Sequence, residues 1–118
     1  MKKIFSLLIV CLIITACGLK KGYETIDTNK ANELIQNGAT IIDVRTAEEF
    51  NREHILNAVN IPLEQIDTIE YDKDMTIIDY CQTGIRSEQA VKKLVEMGYT
   101  SLYNLDGGLI NWGGEWGE

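Results

Sequence analysis

The sequence predicts an α/β domain: a central, mainly parallel sheet with helices on both faces. Three observations predict it. Short β-branched runs alternate with helix-periodic segments along most of the 118 residues, the pattern of crossover-connected parallel strands. Two of the runs, Ala39–Val44 and Met75–Tyr80, are nearly continuous in apolar residues, as strands buried on both faces are. Polar clusters follow both runs, Asp43 and Arg45 after the first and Cys81 to Ser87 after the second. Sites in such sheets lie at the carboxyl ends of the strands.

In chain order, Tyr23–Ile26 reads as a first strand. Asp27 or Thr28 caps a helix to about Gln36 with Ala31, Leu34 and Ile35 on one face, and Asn37-Gly38 stops it. Ala39–Val44 is the next strand. Thr46 and Glu49 have capping-box spacing for a short helix to Arg52 that buries Phe50. His54–Asn60 turns toward another strand with Ile55, Val59 and Ile61 apolar, Pro62 ends it, and Leu63–Ile66 forms a helical turn. After the polar loop Tyr71–Asp74, Met75–Tyr80 is the central strand. Ser87–Met97 is the strongest helix, with Ala90, Val91, Leu94 and Val95 inward and Gly98 closing it. Ser101–Leu105 is a last short strand, Asp106-Gly107-Gly108 a turn and Leu109–Trp112 a final helical turn. Gly113–Glu118 reads as a flexible acidic tail with Trp116 loosely packed.

The stretch that carries chemistry is Cys81-Gln82-Thr83-Gly84-Ile85-Arg86-Ser87. A loop curled over a helix start aims backbone N–H groups inward as an anion-binding nest. Gly84 permits the curl. A thiol held there ionises more easily than a free one, and Arg86 adds a permanent planar cation at the rim. These residues describe a nucleophilic thiolate in an anion cradle. The competing reading is a buried cysteine at a strand end, common for this residue type.

The amino-terminal segment bears on that choice. Met1-Lys2-Lys3 is a positive region and Ile4–Ala16 is almost wholly apolar, too short to span a bilayer comfortably but suited to a signal peptide. Ile14-Thr15-Ala16-Cys17 resembles the lipobox of bacterial lipoproteins, which implies cleavage before Cys17 and its lipidation; the competing reading is an ordinary secretory signal. The expected organisation is a lipoprotein signal peptide over 1–16, a lipidated tether over 17–22 and a domain over 23–118, exported and lipid-anchored to a bacterial cell-envelope membrane. Of the three cysteines, Cys11 leaves with the signal and Cys17 is thioether-linked. Cys81 alone remains as a thiol, with no partner for an internal disulfide.

The 18 acidic residues oppose 11 basic ones. Loss of Lys2 and Lys3 leaves 9 basic against 18 acidic, a net charge of −9 for the mature chain. Such a balance, without a basic stripe, excludes nucleic acid as a partner. No cluster has metal-ligand spacing, and no nucleotide phosphate loop or dinucleotide fingerprint occurs, so neither metal nor cofactor is expected. Asp43 and Arg45 read either as substrate groups or as a structural pair holding the loop; His54, the only histidine, reads as a loop fastener and Trp112 as a core plug.

Taken together, Ile41–Phe50, His54-Ile55, Asn60-Ile61-Pro62, Tyr80–Ala90 and Leu105–Gly108 with Trp112 resemble a single-domain rhodanese. The resemblance spans Tyr23 to Trp112. It implies a thiosulfate-type sulfurtransferase, a monomer without cofactor, in which Cys81 takes a sulfane sulfur from thiosulfate or a similar donor. The resulting persulfide, cradled by the backbone of Gln82, Thr83, Gly84, Ile85, Arg86 and Ser87, passes its sulfur to cyanide or a thiol. Phosphatases with a related loop place the arginine six positions after the cysteine; Arg86 is five after Cys81, which suits a sulfur atom better than a tetrahedral oxyanion. The alternatives are a sulfur-carrying or anion-binding module with little turnover, or a tethered interaction domain with a spent site. Two positions depart from the family pattern, Glu53 and Asn57 standing where glycine is frequent.

Overall fold

The computed structural model describes residues 21–117. The expected signal peptide and Cys17 lie outside the described residues. Five strands form one wholly parallel sheet: β1 (Glu24–Ile26), β2 (Thr40–Asp43), β4 (Val59–Asn60), β5 (Thr76–Tyr80) and β6 (Ser101–Leu105), in the spatial order β1-β6-β5-β2-β4. Helices α1 (Thr28–Gln36), α2 (Ala47–Arg52) and α3 (Ile85–Glu96) connect them, with 3-10 helices at Leu63–Thr68 and Gly108–Asn111. The predicted α/β class holds.

The two faces of the sheet follow from the alternation of side chains along each strand. Ile42, Ile77 and Leu102 point to one side and pack with Ala90, Val91 and Leu94 of α3 and with Ile66. Ile41, Ile78, Tyr80 and Leu105 point to the other and pack with Ala31, Leu109 and Trp112. Burial on both faces explains why β2 and β5 read as continuous apolar runs.

Local signals hold at most boundaries. The Asp27 side chain accepts from the Lys30 N–H at the start of α1, and the Thr46–Glu49 capping box is complete. α3 starts at Ile85, two residues earlier than the apolar periodicity indicates, because Gly84 at φ 102° caps it without a side chain. Asn57 takes the left-handed conformation, φ 67°, which asparagine tolerates. Glu53 is extended at φ −167°, a conformation open to any residue, so neither departure disturbs the fold.

Two expectations fail. Phe50 is only half-buried: α2 has no buried residue, and the Phe50 ring stacks on His54 with centroids 3.8 Å apart. The tail is not free, since Trp116–Gly117 forms strand β7 antiparallel to β3 (His54–Ile55). Trp116 itself remains 45% exposed. His54, held by the Phe50 carbonyl at 2.9 Å, and Trp112, 7% exposed, take the structural places expected of them.

Candidate active site

Register brings the two polar clusters together. β2 and β5 are neighbours with Asp43 opposite Tyr80, so the chain leaves both strands at one level of the sheet. Cys81 is 1% exposed at the end of β5. Residues 82–84 arc over the start of α3, and the Gly84 and Ser87 N–H groups point at Cys81 Sγ, at 3.1 and 3.4 Å. Ser87 Oγ lies 3.2 Å from the Gly84 carbonyl and also faces the sulfur, so its one proton serves either acceptor. Burial pushes the Cys81 thiol up, but the hydrogen bonds from Ser87, Gly84 and Thr83 outweigh it, and the thiol lies below its ordinary range. Gln82 is half-buried, Thr83 is exposed, and the Ile85 side chain is 70% exposed at the rim.

A brace under the loop was not evident from the sequence. The Leu109 N–H donates to the Cys81 carbonyl at 2.9 Å and the Ile110 N–H to the Gln82 carbonyl at 3.2 Å. This contact requires a glycine at 108: its φ is +64°, and a Cβ there would lie 2.5 Å from the Cys81 carbonyl oxygen. Gly108→Ala is therefore expected to cost about 1–3 kcal/mol and to slow Cys81 alkylation at neutral pH. An unchanged denaturant midpoint and alkylation rate would refute this close approach.

Asp43 and Arg45 form a buried ion pair, 2.7 Å, with side chains 0% and 3% exposed. Arg45 Nε also donates to both Asp43 oxygens, at 3.0 and 3.1 Å. Its remaining donors reach the Glu53 carbonyl (2.7 Å) and Gln82 Oε1 (3.2 Å), and Asn60 Nδ2 donates to the Asp43 and Arg45 carbonyls. Arg45 thus ties the end of β2 to the cysteine loop. Burial pulls its guanidinium down, and Asp43 more than offsets this, leaving it above its ordinary value. The pair faces the framework; the sulfur does not touch it.

Arg86 is placed by a residue the sequence marks only as a helix cap. Its two terminal nitrogens donate to Glu49 Oε1 and Oε2 at 2.7 and 3.0 Å. The i+3 capping spacing signals the role of Glu49 toward Thr46, but the pairing with Arg86, 37 residues away, has no local signature. Hydrogen bonding to Arg86 holds the Glu49 carboxyl down at about 2, against 4.5 ordinarily. A depressed carboxyl stabilises the fold above its unfolded value and loses that contribution as pH falls through its folded value. The thermal midpoint should therefore drop more steeply between pH 4.5 and about 2 in the wild type than in Glu49→Gln; parallel curves would contradict it.

Among the described residues no group of three or more histidine, cysteine or acidic side chains is placed to hold a metal ion. The arrangement is a low-pKa thiol ringed by backbone donors and one half-buried arginine, suited to covalent nucleophilic chemistry on a small anion or sulfane sulfur.

Comparison with known proteins agrees with this geometry. The profile of the family described as "Rhodanese-like domain" matches residues 27–115. The chain is 46% identical over 70 residues to thiosulfate sulfurtransferase PspE of Escherichia coli (strain K12), covering 56% of this chain and 67% of that protein. It is 34% identical over 95 residues to thiosulfate sulfurtransferase GlpE of Coxiella burnetii, covering 76% and 87%. Among solved structures, "rhodanese with anions from E. coli" superposes with a TM-score of 0.62 at 38% identity, covering 69% of this chain and 99% of that one. A cysteine at the end of the central strand, a donor-lined loop behind it and a family match across the whole core lead to one conclusion: this chain belongs to the rhodanese-like domain family.

Proposed function

We propose that the protein is a thiosulfate-type sulfurtransferase working through a persulfide on Cys81. The observation that carries the reading is the pair of N–H groups at 3.1 and 3.4 Å from Cys81 Sγ. They favour the thiolate, which is the attacking species. The thiolate attacks the outer sulfur of thiosulfate; a sulfur–sulfur bond forms, and the bond to the sulfonate sulfur breaks with its electron pair leaving on sulfite. The terminal persulfide anion then sits inside the ring of amides from Gln82 to Ser87. Cyanide or a thiolate acceptor attacks that outer sulfur and returns the electron pair of the broken bond to Cys81. Arg86 at the rim offsets charge on the donor as sulfite departs. Two half-reactions with a covalent intermediate give ping-pong kinetics.

Relatives named thiosulfate sulfurtransferase support the choice of donor. The exported, lipid-anchored state through Cys17, with the domain as a monomer at the membrane surface, belongs to the same proposal and rests on the lipobox-like residues 14–17. It is tested by membrane fractionation of the wild type and of Cys17→Ala.

The deciding experiment is intact mass after thiosulfate treatment. The protein gains about 32 Da, one sulfur, as a persulfide, and cyanide removes it. Loading persists below the pH range of an ordinary thiol, about 8.5, and is lost as falling pH protonates the thiolate. No mass gain across donors overturns the reading. One observation favours a second reading, a sulfur carrier with little turnover: both terminal nitrogens of Arg86 are already engaged by Glu49, which weakens capture of a dianion. A carrier loads sulfur stoichiometrically yet shows negligible steady-state transfer.

A further inference from the structure

Asp79 stands two residues before Cys81 in the middle of the sheet, 0% exposed. Neither of its carboxyl oxygens has a hydrogen-bond partner among the described residues, and neither does Asn104 Oδ1, on a residue 4% exposed. The two residues are register partners on the neighbouring strands β5 and β6, about 4.8 Å apart in the hydrogen-bonding direction. Alternation puts both on the α3 side of the sheet, with Ile77, Leu102 and Cys81. Read as a carboxylate and an amide carbonyl, they are acceptors buried without donors at opposed register positions of a dry layer, an arrangement that costs several kcal/mol.

One proton resolves the conflict. We propose that Asp79 is a protonated positioning acid beneath the cysteine loop: its O–H donates to Asn104 Oδ1, and the single negative charge of the Asp79–Cys81 pair rests on the sulfur. Two protonation patterns compete for that charge. Two backbone N–H groups aim at the sulfur, and none aims at the carboxyl. The donors therefore settle the charge on Cys81 and leave the proton on Asp79. By keeping this proton, Asp79 spares the nucleophile a like charge two residues away.

The other charged groups around Asp79 do not alter this. On its flanks β2 presents Ile42 and β6 presents Asn104. From above, α3 buries Ser87, Ala90, Val91 and Leu94. Of the charged residues on α3, Arg86 is paired with Glu49 and Lys92 with Glu88, while Lys93 and Glu96 are exposed. Asp106, beyond β6, is exposed. The Asp43–Arg45 pair lies on the Tyr80 side of the sheet. Burial and then the Cys81 charge both hold the Asp79 carboxyl well above its ordinary value, in keeping with the protonated form.

The proposal takes Cys81 as nucleophile from the sulfurtransferase reading, but its readouts need no turnover and so fail or stand separately from the persulfide assay. Infrared spectroscopy of the full chain at neutral pH should show one protonated-carboxyl band that shifts when aspartate carboxyl carbons are isotope-labelled and disappears in Asp79→Asn. Blocking Cys81 with iodoacetamide removes the sulfur's charge, so the pH midpoint of that band should fall by about one unit or more. The pH midpoint of Cys81 alkylation should stay within about 0.5 unit in Asp79→Asn, which exchanges one neutral group for another. Absence of a labelled protonated band, a midpoint unmoved by blocking Cys81, or an alkylation midpoint about one unit lower in Asp79→Asn would each overturn it. The labelling and blocking arms use the wild-type chain and hold even where Asp79→Asn fails to fold.

Discussion

Cys81→Ser is expected to reduce sulfur transfer to background, a loss of at least about 10³-fold, while the chain stays folded. The size of the effect follows from the chemistry. A serine hydroxyl is not ionised at neutral pH, and its oxygen does not form a stable bond to sulfane sulfur, so no covalent intermediate exists to split the reaction into two steps. Folding is spared because the hydroxyl can accept from the same Gly84 and Ser87 N–H groups that now serve the sulfur, a change worth about 1 kcal/mol. Two measurements decide it: steady-state transfer from thiosulfate to cyanide, and intact mass after thiosulfate alone. A Cys81→Ser protein that still gains a sulfur atom would move the nucleophile elsewhere.

Arg45→Leu carries the largest expected cost to stability, about 3–5 kcal/mol. The substitution leaves the Asp43 carboxylate, 0% exposed, buried without its counter-ion, and it removes donors to the Glu53 carbonyl and to Gln82. For a domain of this size the loss corresponds to a thermal midpoint lower by roughly 15–30 °C, a large share of a typical stability of about 5–15 kcal/mol. Removing both charges as Asp43→Val/Arg45→Leu should recover much of it, because the penalty comes from the unpaired charge and not from the absence of a salt bridge. Thermal melts of the two single variants and the double variant form the required cycle. A double variant as unstable as the sum of the singles would show that the pair does not act as a unit.

Local features were legible where they depend on near neighbours. The Asp27 and Thr46 caps and the cysteine loop are all contained within a few residues of sequence, whereas the start of α3 at Ile85 lies two residues before the one its apolar periodicity indicates. Long-range partners were not. Glu49 reads as a capping residue, and nothing within its own segment marks it as the counter-ion of Arg86. Val59 reads only as an apolar strand residue, and alternation alone does not tell that its strand lies at the edge and leaves it exposed. Residues 113–117 read as a free tail because a two-residue strand finds its partner, His54–Ile55, only across the fold. Asp79 sits inside an apolar run whose period says it is buried, yet its charge state depends on Asn104 from another strand and on donors aimed at Cys81.

What the sequence by itself determined is the set of elements and the chemical class of the site: alternating strands and helices, two of the strands buried on both faces, and a cysteine in a glycine-bearing loop at a helix start. Those follow from periodicity, backbone propensity and the donors that any helix start exposes. The tertiary structure decided which groups meet. The register of β2 against β5 set Arg45 beside Gln82, the turn at Gly107-Gly108 braced the Cys81 carbonyl, and the neighbouring of β5 with β6 faced Asp79 with Asn104. Each is a contact between segments distant in the chain, where an unpaired buried charge or polar atom costs more than local preference can offset.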